Sequence, residues 1–162
     1  HYVIFNAIVL GVFAAVYHWF PKFTGHMYYE GLGKLHFALT FIGCTLNWLP
    51  LHWAGLLGMP RRVASYDPEF AIWNVIASVG AFLLGVAAIP FILNTVSSWA
   101  RGPKAPPNPW GAIGLEWLLP SPPPAENFED DVPTVLNNPY GYGLDQPQVA
   151  DEAFYVRRAQ EA

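Results

Sequence analysis

Residues 1–21, HYVIFNAIVLGVFAAVYHWFP, contain no Asp, Glu, Lys or Arg; the first charged side chain is Lys22. Apolar residues occupy nearly every helical face of this run. That is the pattern of a helix immersed in lipid or bundled with others, not of one lying half in water. Two more uncharged runs follow, Leu35–Pro60 and Phe70–Ala100. At about 1.5 Å per residue, each can cross a hydrocarbon layer about 30 Å thick. The predicted spans are about 1–20, 35–57 and 70–99, with Pro21 ending the first and Pro50 kinking the second. The opening run lacks a basic n-region and is too long for a secretory h-region, so it reads as a span. A chain that opens inside an apolar run is expected to be cut from something longer.

Charge divides the chain in two. Only seven charged residues (Lys22, Glu30, Lys34, Arg61, Arg62, Asp67, Glu69) lie in the first 100 positions, while the last 62 carry the other 13 and 11 of the 16 prolines. The first part cannot be a water-soluble domain without exposing large apolar patches, and the second is too polar and Pro-rich to pack a core of its own. The expected architecture is therefore an all-α membrane protein: three transmembrane helices within 1–100, then an irregular Pro-rich extramembranous tail, 101–162. The link KFTGHMYYEGLGK, residues 22–34, reads as a polar turn. The apolar patch WGAIGLEWLL, 110–119, is the expected docking point of the tail on neighbouring protein. Small residues at Ala77, Ser78, Gly80, Ala81, Gly85 and Ala88 would let another helix approach closely. Lys22, Lys34, Arg101 and Lys104 outnumber Arg61 and Arg62 across the membrane, which places the tail on the cytoplasmic or matrix side. No basic stripe supports a nucleic-acid role.

Chemistry-bearing side chains are few. Cys44, the one cysteine, sits mid-span and reads as a small buried residue. All five histidines fall within the first 52 residues. Imidazole inside a membrane is a candidate haem ligand, yet His18, His36 and His52 also fit interfacial or hydrogen-bonded structural roles, and His26 lies in the polar link. The pair Arg61–Arg62 follows Pro60 at a membrane boundary. It suits lipid headgroup anchoring or bidentate recognition of carboxylates such as haem propionates. A helix descending from His1 and a second ascending to Gly58 would return the chain to its starting side, so His1 and the arginine pair are expected at one membrane face.

HYVIFNAIVLGVFAAVYHWFPKFTG (1–25), GKLHFALTFIGCTLNWLPLHWAGLLGMPRR (33–62), WNVIASVGAFLLG (73–85) and LEWLLPSPPPAENFED (115–130) together resemble the C-terminal part of subunit I of haem–copper terminal oxidases. The likeness is strongest to the bacterial-type aa-class cytochrome c oxidase and covers roughly residues 1 to 131. It implies that the spans are the last three of a twelve-helix bundle. It also implies that His1, followed by Tyr2 and Val3, matches the second histidine of the family motif His-x-His-Tyr-Val, the one that ligates the low-spin haem iron. Arg61 and Arg62 match the pair that holds haem propionates. Haem A is the implied cofactor. The high-spin haem, the copper and the oxygen-reduction site belong to parts of the subunit absent from this sequence, so no catalytic residue is expected in it.

The implied function is that of a fragment of a cytochrome c oxidase catalytic subunit, in an enzyme that reduces oxygen to water and pumps protons. Its implied partners are the remainder of subunit I, subunits II and III, cytochrome c and membrane lipid. Its implied location is a bacterial respiratory membrane or the mitochondrial inner membrane. A quinol oxidase shares the haem ligands but commonly continues into further spans, whereas no uncharged apolar run of comparable length follows Arg101. A non-catalytic three-span scaffold would leave the ordered match unexplained.

Overall fold

The computed structural model describes residues 1–112 and 114–128, and the backbone of two short strands beyond them. Three long helices dominate: α1 (Tyr2–Thr24), α2 (Glu30–Leu56) and α3 (Ala71–Arg101). A 3₁₀ turn at Pro68–Phe70 leads into α3, and another covers Leu115–Leu118. Strands β1 (Thr134–Val135) and β2 (Tyr155–Val156) pair antiparallel. The rest of the expected tail lies outside the described residues. By contact the chain forms two units, His1–Tyr17 with Tyr28–Ala100, and His18–Met27 with Arg101 onward.

In the first unit the helices pack through small residues. Ala77, Gly80 and Ala87 of α3 are buried, and a Cβ placed on Gly80 would lie 2.6 Å from the carbonyl carbon of Leu46 on α2. Gly43 meets Leu84 in the same way, 3.0 Å from its Cγ. Of the small residues expected to admit a neighbouring helix, Gly80 thus faces α2 of the same chain, whereas Ala81, Gly85 and Ala88 remain exposed. Beside them Val79, Phe82, Ile89, Leu93 and Val96 are each more than half exposed. A face this apolar requires lipid or further helices. Among the described residues two helical segments, Tyr2–Thr24 and Pro68–Arg101, are long and apolar enough to cross a membrane. At 27 residues α2 has the length, but it carries Glu30, Lys34, His36, Asn47 and His52.

The link between α1 and α2 is shorter than the sequence suggests, residues 25–29 instead of 22–34. Tyr29 caps α2 without a side-chain bond. A buried amide on α3 does that work instead: Asn94 Oδ1 accepts from Tyr29 N at 2.9 Å, and Asn94 Nδ2 donates to Tyr29 O at 3.0 Å. Fixing both backbone groups of Tyr29 lets helix begin at Glu30, although Gly31 and Gly33 lie in its first turns.

In the second unit α1 runs through Pro21 to Thr24 instead of stopping there. Proline removes one donor and disturbs the preceding carbonyls. Here the nearby carbonyl of His18 accepts from Trp110 Nε1 at 2.9 Å, and Thr24 Oγ1 donates to Phe20 O at 2.8 Å. Lys22, counted from the sequence among the cations of a membrane face, is instead buried, 5% exposed. Its Nζ donates to the carbonyls of Leu119 (2.8 Å), Pro107 (2.9 Å) and Pro120 (3.4 Å), and lies 5.1 Å from the centre of the Trp117 ring. The patch around Trp117 and Leu119, expected to dock on other protein, is buried within this unit. Gly25 completes it: φ is +71°, and a Cβ there would sit 2.8 Å from Pro122 Cδ, so only glycine fits.

Candidate haem-facing cavity

Gly58 decides where α2 ends. It adopts φ +105°, its N–H donates to Gly55 O at 3.1 Å, and Met59 N donates to Ala54 O at 3.0 Å. These are the two bonds of a glycine C-terminal cap, and Pro60 then prevents the helix from resuming. The chain turns out of the helix with Arg61 and Arg62 exposed. Asn74, in the first turn of α3, holds the turn by donating to Met59 Sδ at 3.4 Å and to Phe70 O at 2.9 Å. Arg62 itself takes φ +58°. For a residue with a Cβ this costs about 1–2 kcal/mol, and such strain concentrates at functional sites.

The result is a cavity of about 770 Å³ whose wall includes His1, Trp48, His52, Arg61, Arg62 and Asn74. The three residues singled out from the sequence, His1, Arg61 and Arg62, therefore meet at one place. Trp48 and His52 were not singled out together. Their spacing of four on α2 was the available signal, since it puts both on one helical face. His52 Nδ1 lies 3.0 Å from Trp48 O, which makes that nitrogen the donor. Neither guanidinium has an ion-pair partner among the described residues, where the one salt bridge is Lys34–Glu30 at 3.4 Å. Among the described residues the His1 imidazole has no ring hydrogen bond and the two guanidiniums are unpaired; with an apolar wall they form a donor set suited to a flat carboxylate-bearing macrocycle.

The remaining histidines have other partners. His36 is buried, with Nδ1 3.1 Å from the hydroxyl of Tyr17. It lines a second cavity of about 430 Å³ with Phe13, Tyr28 and Thr40. Burial and the nearby Glu30 carboxylate push the Tyr28 phenol above its ordinary range. His26 Nδ1 lies 3.1 Å from Thr24 O. The His18 ring stacks on Trp110 at 6.1 Å and meets Trp117 edge-on at 5.1 Å. Cys44 is fully buried, in keeping with its sequence reading.

Residues 1–83, which include all of this cavity, match the family described as Cytochrome C and Quinol oxidase polypeptide I. The chain belongs to this family. It is 51% identical over 148 residues to cytochrome c oxidase subunit 1 of Thermostichus vulcanus, covering 91% of this chain and 27% of that protein. It is 49% identical over 152 residues to the corresponding Synechocystis subunit, covering 94% and 27%. A heme-copper oxidase subunit I+III of Aeropyrum pernix is 43% identical over 136 residues, 83% of this chain and 16% of that one. The chain thus spans about a quarter of the length of the oxidase subunit I relatives it matches. Membership in this membrane-embedded family leaves the scaffold reading without support.

Proposed function

We propose that this chain works as the C-terminal part of subunit I of a cytochrome c oxidase, with His1 as an axial ligand of a low-spin haem iron and Arg61 and Arg62 as contacts to its propionates. The carrying observation is that His1, Arg61 and Arg62, distant in sequence, line one cavity. Haem supplies reversible one-electron chemistry at iron when bound. The chain's own share is to present an imidazole nitrogen, hold two positive charges where carboxylates arrive, and close one wall with the apolar surfaces of α1 and α2. Two cations beside the haem hold anionic groups there and favour the reduced iron.

On this reading α2 joins α1 and α3 as a third span, the three being the last of twelve, and the exposed face of α3 packs on the remainder of subunit I or on lipid. Haem A is the proposed cofactor here. The second haem, copper, subunits II and III and the oxygen-reducing chemistry belong to the assembled enzyme. Cytochrome c is the proposed donor, because the relatives named above that are about half identical over the matched residues are cytochrome c oxidase subunits. The tail is assigned to the cytoplasmic face of a bacterial respiratory membrane.

His1→Ala in the assembled oxidase tests the assignment. Expected is loss of the low-spin haem absorption band and of its ferric low-spin EPR signal, with the subunit still inserted. Retention of both would overturn it.

A further inference from the structure

A histidine bound to metal ordinarily donates its second ring N–H to a carboxylate, carbonyl or water, and that bond fixes how the ring is turned. Among the described residues the His1 ring has no hydrogen bond. Its ring contact is with Trp48: the centroids are 5.1 Å apart and the planes 22° from parallel. The indole is itself confined. It also meets Phe5, one turn farther along α1, at 5.7 Å and 55°, and Phe5 N donates to His1 O at 2.9 Å. One turn along α2, His52 meets Tyr2 edge-on at 5.7 Å. His1 and Tyr2, at the start of α1, are thus each matched to an aromatic ring one turn apart on α2, which keeps the indole from sliding off the imidazole.

We propose that Trp48 is a positioning residue for His1, its indole face fixing the rotation of the imidazole about the ligand bond. This rests on His1 being the axial ligand. The plane of an axial imidazole lifts the degeneracy of the iron orbitals that point between ligands, so ring rotation is read directly in the anisotropy of the ferric EPR signal. A large flat side chain with two torsions suits the task, because it restrains the ring without withdrawing or donating a proton. Trp48 Nε1 is buried and has no hydrogen-bond partner among the described residues, so the restraint comes from the ring face and not from the N–H.

The test compares Trp48→Leu and Trp48→Phe in the assembled oxidase, with His1→Ala alongside. Trp48→Leu removes the flat face and is expected to shift and broaden the low-spin g values and to lower haem retention about tenfold. Trp48→Phe keeps a face while losing the N–H, and is expected to restore signal and retention close to the parent. Unchanged g values in Trp48→Leu would overturn the proposal. So would a Trp48→Phe variant as perturbed as Trp48→Leu, or one that likewise lacks the haem. If His1→Ala keeps its low-spin haem, the axial assignment itself fails. If that haem is lost while Trp48→Leu is silent, only the positioning role fails.

Discussion

Lys22 and the Arg61–Arg62 pair are basic side chains near helix ends of this chain, and they are used in opposite ways. Lys22 is buried, and its three protons have three carbonyl acceptors. Arg61 and Arg62 are exposed, lie on a cavity wall, and have no carboxylate partner among the described residues. A cation whose bonds are completed by its own chain is spent on folding. One held in a strained turn with its donors open is available to a ligand. The sequence shows all three as cations flanking apolar runs and sets the arginines apart by their adjacency after Pro60; it does not show where acceptors from distant positions arrive.

The comparison breaks most visibly at Lys22. Lys22→Met leaves three carbonyls without their donor and is expected to cost the second unit about 3 kcal/mol, because hydrogen bonds to a charged group contribute about 1.5–3 kcal/mol each but share one ammonium here. The readout is proteolysis of the segment after Arg101 in inside-out vesicles: slow in the parent and faster by one to two orders of magnitude in the variant. Lys22→Arg should recover less than half, since a planar guanidinium cannot aim its donors at three separate carbonyls. Equal resistance in all three would show that the ammonium does not hold this segment. Cleavage confined to right-side-out vesicles would move the tail to the other face.

The helices were legible because uncharged length and all-round apolarity are local properties of sequence. The meeting of His1 with Arg61 and Arg62 was legible because two antiparallel helices return a chain to its starting side. Helix limits were less so. Pro21 reads as a stop, but Trp110, 89 positions later, supplies a donor to a carbonyl beside it. The start of α2 was misplaced because its cap is Asn94, 65 positions from Tyr29. Lys22 was counted as a cation of one membrane face because its carbonyl partners are backbone atoms, which no side-chain pattern announces. The role of Trp48 was hidden for a related reason: an aromatic in a span is ordinarily packing, and only its parallel placement on His1 separates it from the others.

Asn94 sharpens the comparison from the side of the satisfied groups. Asn94→Leu keeps the approximate volume but removes both bonds to Tyr29, and is expected to cost about 2 kcal/mol. Amide exchange at Tyr29 should quicken by about 30-fold in consequence, as about 1.4 kcal/mol corresponds to a factor of ten. Asn94→Asp keeps the acceptor for Tyr29 N and loses the donor to Tyr29 O, so it should fall between parent and Leu. Exchange at Tyr29 unchanged in Asn94→Leu would mean that the start of α2 is set by packing alone.

Arg61→Gln and Arg62→Gln carry the smallest expected effect on folding and the most specific one on function. Neither guanidinium completes a bond that the described fold requires, so each change should move thermal stability by less than about 0.5 kcal/mol, the ordinary range for exposed sites. Removing a positive charge near the iron favours the oxidised state. The low-spin haem midpoint should therefore fall by tens of millivolts in each variant, a size set by one charge screened at an effective dielectric of about 20. Arg62 adds a second signature. Its left-handed backbone is strained, so Arg62→Gly should stabilise the turn by about 1 kcal/mol while lowering the midpoint as the Gln variant does. Stability and potential moving in opposite directions at one residue would mark strain kept for a ligand. An unchanged midpoint in both Gln variants, with haem content intact, would return the pair to anchoring headgroups and erase the distinction from Lys22.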